Sequence, residues 1–244
     1  MGRILSFIYG IIAYIIFLGS FLYAIGFVGE LLVPKGINTG SESQNLIYAL
    51  LINAGLLSLF AIQHSAMARP GFKKWWTKII PAQVERSTYV LISSLILFFL
   101  FWQWRPMPEI IWSIEEGAWQ MLLTGLFWLG WGIVLLSTFM INHFDLFGLR
   151  QVYLHLKGEA ITPVQFKEPW LYKYLRHPLM LGFIIAFWAT PYMTLGHLVF
   201  AIATTGYIFI GIWFEERDLI RSHGEKYREY RKRVRMLLPF PRKS

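Results

Sequence analysis

Apolar and polar positions alternate along this chain in long blocks rather than in short periods. Six apolar segments stand out, at about 4–33, 44–67, 87–104, 118–141, 179–192 and 196–214. A helix needs about 20 apolar residues to cross the hydrocarbon core of a bilayer, and most of these blocks reach that length. The first is too long for the core of a signal peptide and has no clear small-residue cleavage site after it, so it reads as a retained first span. The fifth is short for a full crossing. Pro191 and the turn-like run Pro191-Tyr192-Met193-Thr194-Leu195-Gly196 tie it to the sixth as a tight helical hairpin, one that either dips in and returns or crosses by tilting. The pattern therefore predicts an all-α, polytopic membrane helical bundle of about six apolar segments, with a C-terminal hairpin and a basic tail. We expect one integral-membrane domain over 1–244, with four membrane helices in 1–141 and a loop, hairpin and tail in 142–244.

Composition agrees with this pattern. Of the 244 residues 56% are hydrophobic and only 15% are charged, too apolar a balance for an ordinary soluble domain. The 11 tryptophans suit interfacial belts. The absence of cysteine excludes disulfides, a thiol nucleophile and thiolate metal sites.

Charge adds a direction. All but two of the 23 basic residues fall at Arg3, in the loops 69–86 and 142–178, and in the tail 215–244; the exceptions are Lys35 and Arg105. Basic residues stay with the cytoplasmic side, so both termini and those loops are expected in the cytoplasm of a bacterial inner membrane. The net charge of +9 is then a topology signal. No basic face on a soluble module points to nucleic acid. Arg69, Lys73, Lys74 and Lys78 are expected to face anionic headgroups, as are the tail residues from Arg228 to Arg235.

The polar clusters gather at the same ends of the spans: Gln63-His64-Ser65, Asn142-His143-Phe144-Asp145 with Arg150-Gln151, Arg176-His177-Pro178, and Glu215-Glu216. Ionisable groups at membrane depth are costly and usually pair or line a cavity. The hairpin joins Arg176 and His177 to Glu215 and Glu216, which favours function over packing there. Further on, Glu216, Ile220, His223, Tyr227 and Tyr230 fall roughly on one helical stripe, which Gly224 threatens to interrupt. Carboxylates suit ribose hydroxyls, aromatic rings suit adenine, and Arg or His suits a carboxylate. His64, His143 and Asp145 are equally readable as capping or packing groups; Trp128, Trp131 and His197 read as structural. The six histidines form no HExxH and no i,i+4 pair, so no metal is expected. There is no GxSxG elbow, no P-loop and no strand–GxGxxG–helix unit.

The run Arg176-His177-Pro178-Leu179-Met180-Leu181-Gly182, then Glu215-Glu216, then Gly224 with Tyr227 and Tyr230, resembles the integral-membrane methyltransferase superfamily of isoprenylcysteine carboxyl methyltransferases and phospholipid methyltransferases. Met180 stands where that pattern usually has tyrosine. Three earlier stretches, His64 to Pro70, Glu85 to Tyr89 and Asn142 to Gln151, together with Trp188 to Leu198, resemble the branch that holds the bacterial methanethiol S-methyltransferases and the NnrU proteins. The resemblance implies S-adenosyl-L-methionine as methyl donor, methanethiol as the small thiol acceptor and dimethyl sulfide as product, at the cytoplasmic face of the lipid bilayer, with no obligate protein partner. It assigns Arg176, His177, Gly182, Glu215, Glu216, Tyr227 and Tyr230 to the cofactor; Gln165, Lys167 and Tyr174, which lie just before the hairpin, are expected to add contacts. A small alkyl thiol is mostly protonated at neutral pH, so a base is expected. His143 is the first candidate, with Asp145 to orient it; His64 and Arg150 are the others. Two rival readings remain: a membrane reductase using NADPH, whose sterol-reductase relatives share a similar Arg-His-Pro and tyrosine-rich C-terminus, and a non-catalytic membrane accessory protein.

Overall fold

The computed structural model of the chain describes residues 2–40, 45–162 and 168–238. It consists almost entirely of helices, which fall into two compact units, each drawing on both halves of the chain.

The first unit contains α1 (Arg3–Gly29), α2 (Leu46–Ala68), α3 (Pro70–Trp76), α4 (Ala82–Gln103), α6 (His143–Leu146) and α7 (Leu149–Lys157). Helix α1 packs against α4 and α7, and α2 packs against α4. The burial pattern of α1 is inverted relative to a soluble helix. Ser6, Gly10, Ala13 and Ser20 are buried, while Ile4, Leu5, Ile8, Ile12, Ile15 and Leu22 point outward. Lipid tails are as apolar as Leu, so helices in a bilayer associate through close approach of small residues. Gly10 shows the reason: a Cβ there would sit 2.5 Å from a methyl of Val152 on α7. Asn53, fully buried in α2, is satisfied from both sides by Arg105, donating to its carbonyl at 2.7 Å and accepting from its N–H at 2.9 Å. The α1 helix ends at Glu30, in the left-handed region with φ 54°. The Glu30 carboxylate then accepts from the Asn38 N–H and, at 2.9 Å, from the Thr39 hydroxyl.

The second unit contains α5 (Ala118–Ile141), α8 (Pro178–Trp188), most of α9 (Leu195–His223) and α10 (Glu225–Arg233). A short ribbon joins β1 (Ile110–Ser113) to β2 (Tyr192–Thr194), which is where the expected turn after Pro191 falls. Helices α5 and α8 cross at very short range. A Cβ on Gly182 would lie 2.7 Å from the carbonyl oxygen of Gly130, and one on Gly130 would lie 2.6 Å from the backbone nitrogen of Ala186. Trp131 is buried beside this crossing against Phe183 and Phe187. Met180 packs beside the cluster of Ile208, Ile212 and Leu237.

Five of the helices, α1, α2, α4, α5 and α9, are long and apolar enough to cross a membrane. At 1.5 Å per residue the 11-residue α8 extends only ~16 Å, about half the hydrocarbon thickness. The fifth apolar segment thus forms a half-length helix that ends where Ala189-Thr190-Pro191 leaves the helical path. Helix α9 does the opposite: its 29 residues run past the last apolar position to carry Glu215 and Glu216 in its final turns. Gly224, with φ 57°, breaks the expected continuous stripe into α9 and α10.

Candidate active site

The hairpin cluster lies wholly within the second unit. Pro178 occupies the first turn of α8, where its missing N–H costs nothing, and this places Arg176 and His177 at the helix entrance. Arg176 Nε donates to Glu216 Oε1 at 2.7 Å, and its Nη1 donates to the carbonyls of Val234 at 2.5 Å and Arg231 at 3.2 Å. His177 contacts Glu216 Oε1 through Nε2 at 3.2 Å and Glu215 Oε2 through Nδ1 at 3.5 Å. Arg231 Nε reaches the other Glu216 oxygen at 3.2 Å. His177 and Glu216 are buried, whereas the Glu215 side chain is half-exposed. Burial opposes the charged form of His177, but its hydrogen bonds to Glu215 and Glu216 outweigh it and hold the imidazole pKa above its ordinary value.

The tail closes over this cluster as backbone. Arg176 N–H donates to the Arg235 carbonyl at 2.8 Å and His177 N–H to the Met236 carbonyl at 3.1 Å, a short parallel pairing. Tyr227 and Tyr230 hold α10 down. Both rings are buried with Val234 against Leu219 and Ile220, and the Tyr230 hydroxyl donates to the Tyr172 carbonyl at 2.6 Å. Burial pushes both phenols above their ordinary range, so both stay neutral. Gly182 lies at the crossing with α5, Tyr174 is exposed, and Gln165 and Lys167 lie outside the described residues.

The earlier polar clusters lie in the first unit. His143 is buried, with Nε2 hydrogen-bonded to the Tyr14 hydroxyl at 2.8 Å and its ring edge-on to Phe147. Burial lowers its pKa, so the imidazole is neutral at pH 7. Asp145 turns elsewhere: its carboxylate accepts from Arg150 at 2.9 Å and from Gln151 at 3.3 Å, while Arg150 also donates to the Thr162 hydroxyl at 2.6 Å. The expected orienter of His143 is thus engaged by Arg150, and the tyrosine on α1 occupies that place. Tyr14 escaped the sequence reading because it sits inside an apolar span 129 residues from its partner. His64 lies between Tyr89, whose hydroxyl is 2.9 Å from Nε2, and the stacked ring of Phe60. An open, mainly apolar groove of about 420 Å³ runs along Phe7, Ile11, Phe144 and Tyr153, with Asn142 and Arg150 at its polar edge.

Five apolar helices that expose large aliphatic side chains, bury small ones and carry buried ionic groups near their ends define a multi-pass membrane protein. The chain belongs to the NnrU protein family, whose sequence profile matches residues 51–236. It is 54% identical to the methanethiol S-methyltransferase of Mycobacterium tuberculosis over 99% of this chain and 98% of that one. Against methanethiol S-methyltransferase 2 of Bradyrhizobium diazoefficiens the identity is 57%, over 98% and 91%. Nurim of Bos taurus is a more distant relative, 28% identical over 73% and 71%. No solved structure matches the chain.

Proposed function

We propose that this protein is a membrane S-methyltransferase that converts methanethiol to dimethyl sulfide with S-adenosyl-L-methionine as donor. The observation that carries the reading is the buried Arg176–His177–Glu216 cluster, in a chain more than half identical to methanethiol S-methyltransferases along nearly its whole length. When bound, the cofactor supplies a methyl group activated on a sulfonium.

The donor set fits such a group. Glu216 is saturated by Arg176, Arg231 and His177 and acts as the keystone of the cluster. Glu215, half-exposed beside His177, is the carboxylate that can receive ribose hydroxyls or an ammonium. His177, with its pKa raised, offers positive charge to a carboxylate. Tyr227 and Tyr230 keep α10 and the tail closed over these groups, and Gly182 lets α8 approach α5 closely enough to fix its entrance.

The acceptor needs other help. His143, its pKa lowered by burial and its Nε2 hydrogen-bonded to Tyr14, is the base for the thiol proton. S-adenosyl-L-methionine, which Arg176, His177 and Glu215 would hold, would supply the methyl group for the thiol sulfur, and the imidazole would keep the thiol's proton. The apolar groove along Phe7, Ile11 and Phe144 suits an acceptor that arrives from lipid. We place both termini and the site in the cytoplasm, because the basic loops and the supply of a charged cofactor agree on that side.

Purified protein given methanethiol and methyl-labelled S-adenosyl-L-methionine is expected to release labelled dimethyl sulfide into the headspace. If no product forms, and NADPH binds while S-adenosylhomocysteine does not, the reading fails in favour of a reductase.

A further inference from the structure

The stretch Glu85 to Tyr89 lies in the first two turns of α4, and four consecutive side chains there meet four different partners. Arg86 Nε donates to the Leu146 carbonyl at 2.7 Å. Ser87 is buried against Gly148: its hydroxyl is 3.4 Å from the Gly148 carbonyl, and a Cβ on that glycine would sit 2.7 Å from the Ser87 backbone nitrogen. The Thr88 hydroxyl lies 2.9 Å from that of Tyr9 on α1, and the Tyr89 hydroxyl 2.9 Å from His64 Nε2 on α2.

The first two contacts bear on α6, the four-residue helix that begins with His143. One helical turn does not hold itself in place, so its neighbours must. Leu146 ends that turn, and helix-terminal carbonyls need donors from outside the helix. Arg86 supplies one, and its guanidinium is itself held 5.0 Å over the ring of buried Tyr89. Gly148, with φ 87°, turns the chain out of α6 directly against Ser87. Between these two contacts Phe147 stacks on Phe17 of α1, with ring centroids 3.8 Å apart. His143 stands about one turn before Leu146 and meets Tyr14, also on α1. Helix α4 thus fixes the end of a single turn whose first residue is the base proposed above.

We infer that Arg86 is a positioning residue for His143: its bond to the Leu146 carbonyl, backed by the contact of Ser87 with Gly148, sets where the imidazole stands. The inference rests on the reading of His143 as the base for the thiol proton. A misplacement of about 1 Å in such a group can cost on the order of 100-fold in rate.

The test uses the full-length protein in detergent with methanethiol and S-adenosyl-L-methionine. Arg86→Gln is expected to lower kcat about tenfold, with KM for methanethiol and S-adenosylhomocysteine affinity within about twofold. Arg86→Lys can reach the Leu146 carbonyl but lacks the fixed fork of a guanidinium, and should lose about threefold. Introduced into His143→Ala, Arg86→Gln should cost less than about twofold more, since both changes then remove one function. A second readout needs no substrate. In spectra of protein with ¹⁵N-labelled histidine, both Arg86 variants should shift the His143 ring signals, which are identified by their loss in His143→Ala. Unshifted His143 signals, or a tenfold loss that persists in the His143→Ala background, would overturn the inference. Should Arg86→Gln fail to fold, Arg86→Lys decides by the same spectra and the same pairing with His143→Ala. If the unaltered protein forms no dimethyl sulfide, the methyltransferase reading fails, and the spectra alone decide whether Arg86 positions His143.

Discussion

Two buried histidines are pushed in opposite directions by their surroundings. His177 has carboxylates on both ring nitrogens, and its folded pKa is raised above 6.5. It therefore adds stability in full below about pH 6.5, and that stability is lost as pH rises through the raised value. His143 has a phenol and aromatic edges around it, and its folded pKa lies below 6.5. Its contribution is full above pH 6.5 and is lost as pH falls through the lowered value. The two sites should separate under substitution. His177→Ala is expected to weaken S-adenosylhomocysteine binding at least tenfold by calorimetry, because Glu216 and Glu215 lose a charged partner. His143→Ala should slow turnover about 100-fold or more and leave that binding within about twofold. Tyr14→Phe tests the missing orienter: turnover should fall about fivefold, with the acidic limb of the kcat profile displaced and KM nearly unchanged. An unaltered pH profile would remove Tyr14 from the mechanism.

At the scale of elements, the decisive contacts are made by backbone and by the smallest side chains. Helices α5 and α8 meet through Gly130 and Gly182, where an added Cβ would strike backbone rather than a flexible side chain. Gly182→Ala should lower stability by about 1–3 kcal/mol and shift the detergent melting midpoint downward, with Gly55→Ala, in open space, as the silent control. The tail is the second case. Residues 234–236 pair with Leu175–His177, and carbonyls of Arg231 and Val234 receive the Arg176 guanidinium. A chain ending at Arg233 is expected to insert into membranes normally and to lose S-adenosylhomocysteine binding. Full binding by the truncated chain would show that the tail only covers the cluster.

At the scale of the whole molecule, apolar length and charge argue separately. Among the described residues, length explains five spans and one half-helix. Charge asymmetry predicts the sides: reporters fused after the C-terminus should score cytoplasmic, and those inserted near Lys35 or Glu115 should score external. Reversed scores would place the ionic cluster away from a supply of charged cofactor and would defeat the proposed function along with the topology.

The spans were legible from the sequence because a bilayer demands contiguous apolar residues, a local property of the chain. Arg176, His177, Glu215 and Glu216 were legible as a group because one hairpin joins their ends and because charged residues at membrane depth call for partners. The same reasoning went astray wherever partners are remote. Asp145 looked like the natural orienter of His143 at a spacing of two residues, yet it pairs with Arg150, and Tyr14 arrives from α1. The break in the stripe from Glu216 to Tyr230 was legible at Gly224, where a positive φ divides it into two helices. What the sequence alone determined was which stretches enter lipid and which polar residues stand at their ends. Only the tertiary structure decided which ionic groups pair with one another, which histidine has its pKa raised and which lowered, and that α8 stops halfway. Those outcomes depend on burial and on contacts between residues far apart in the chain, and neither is set by local pattern.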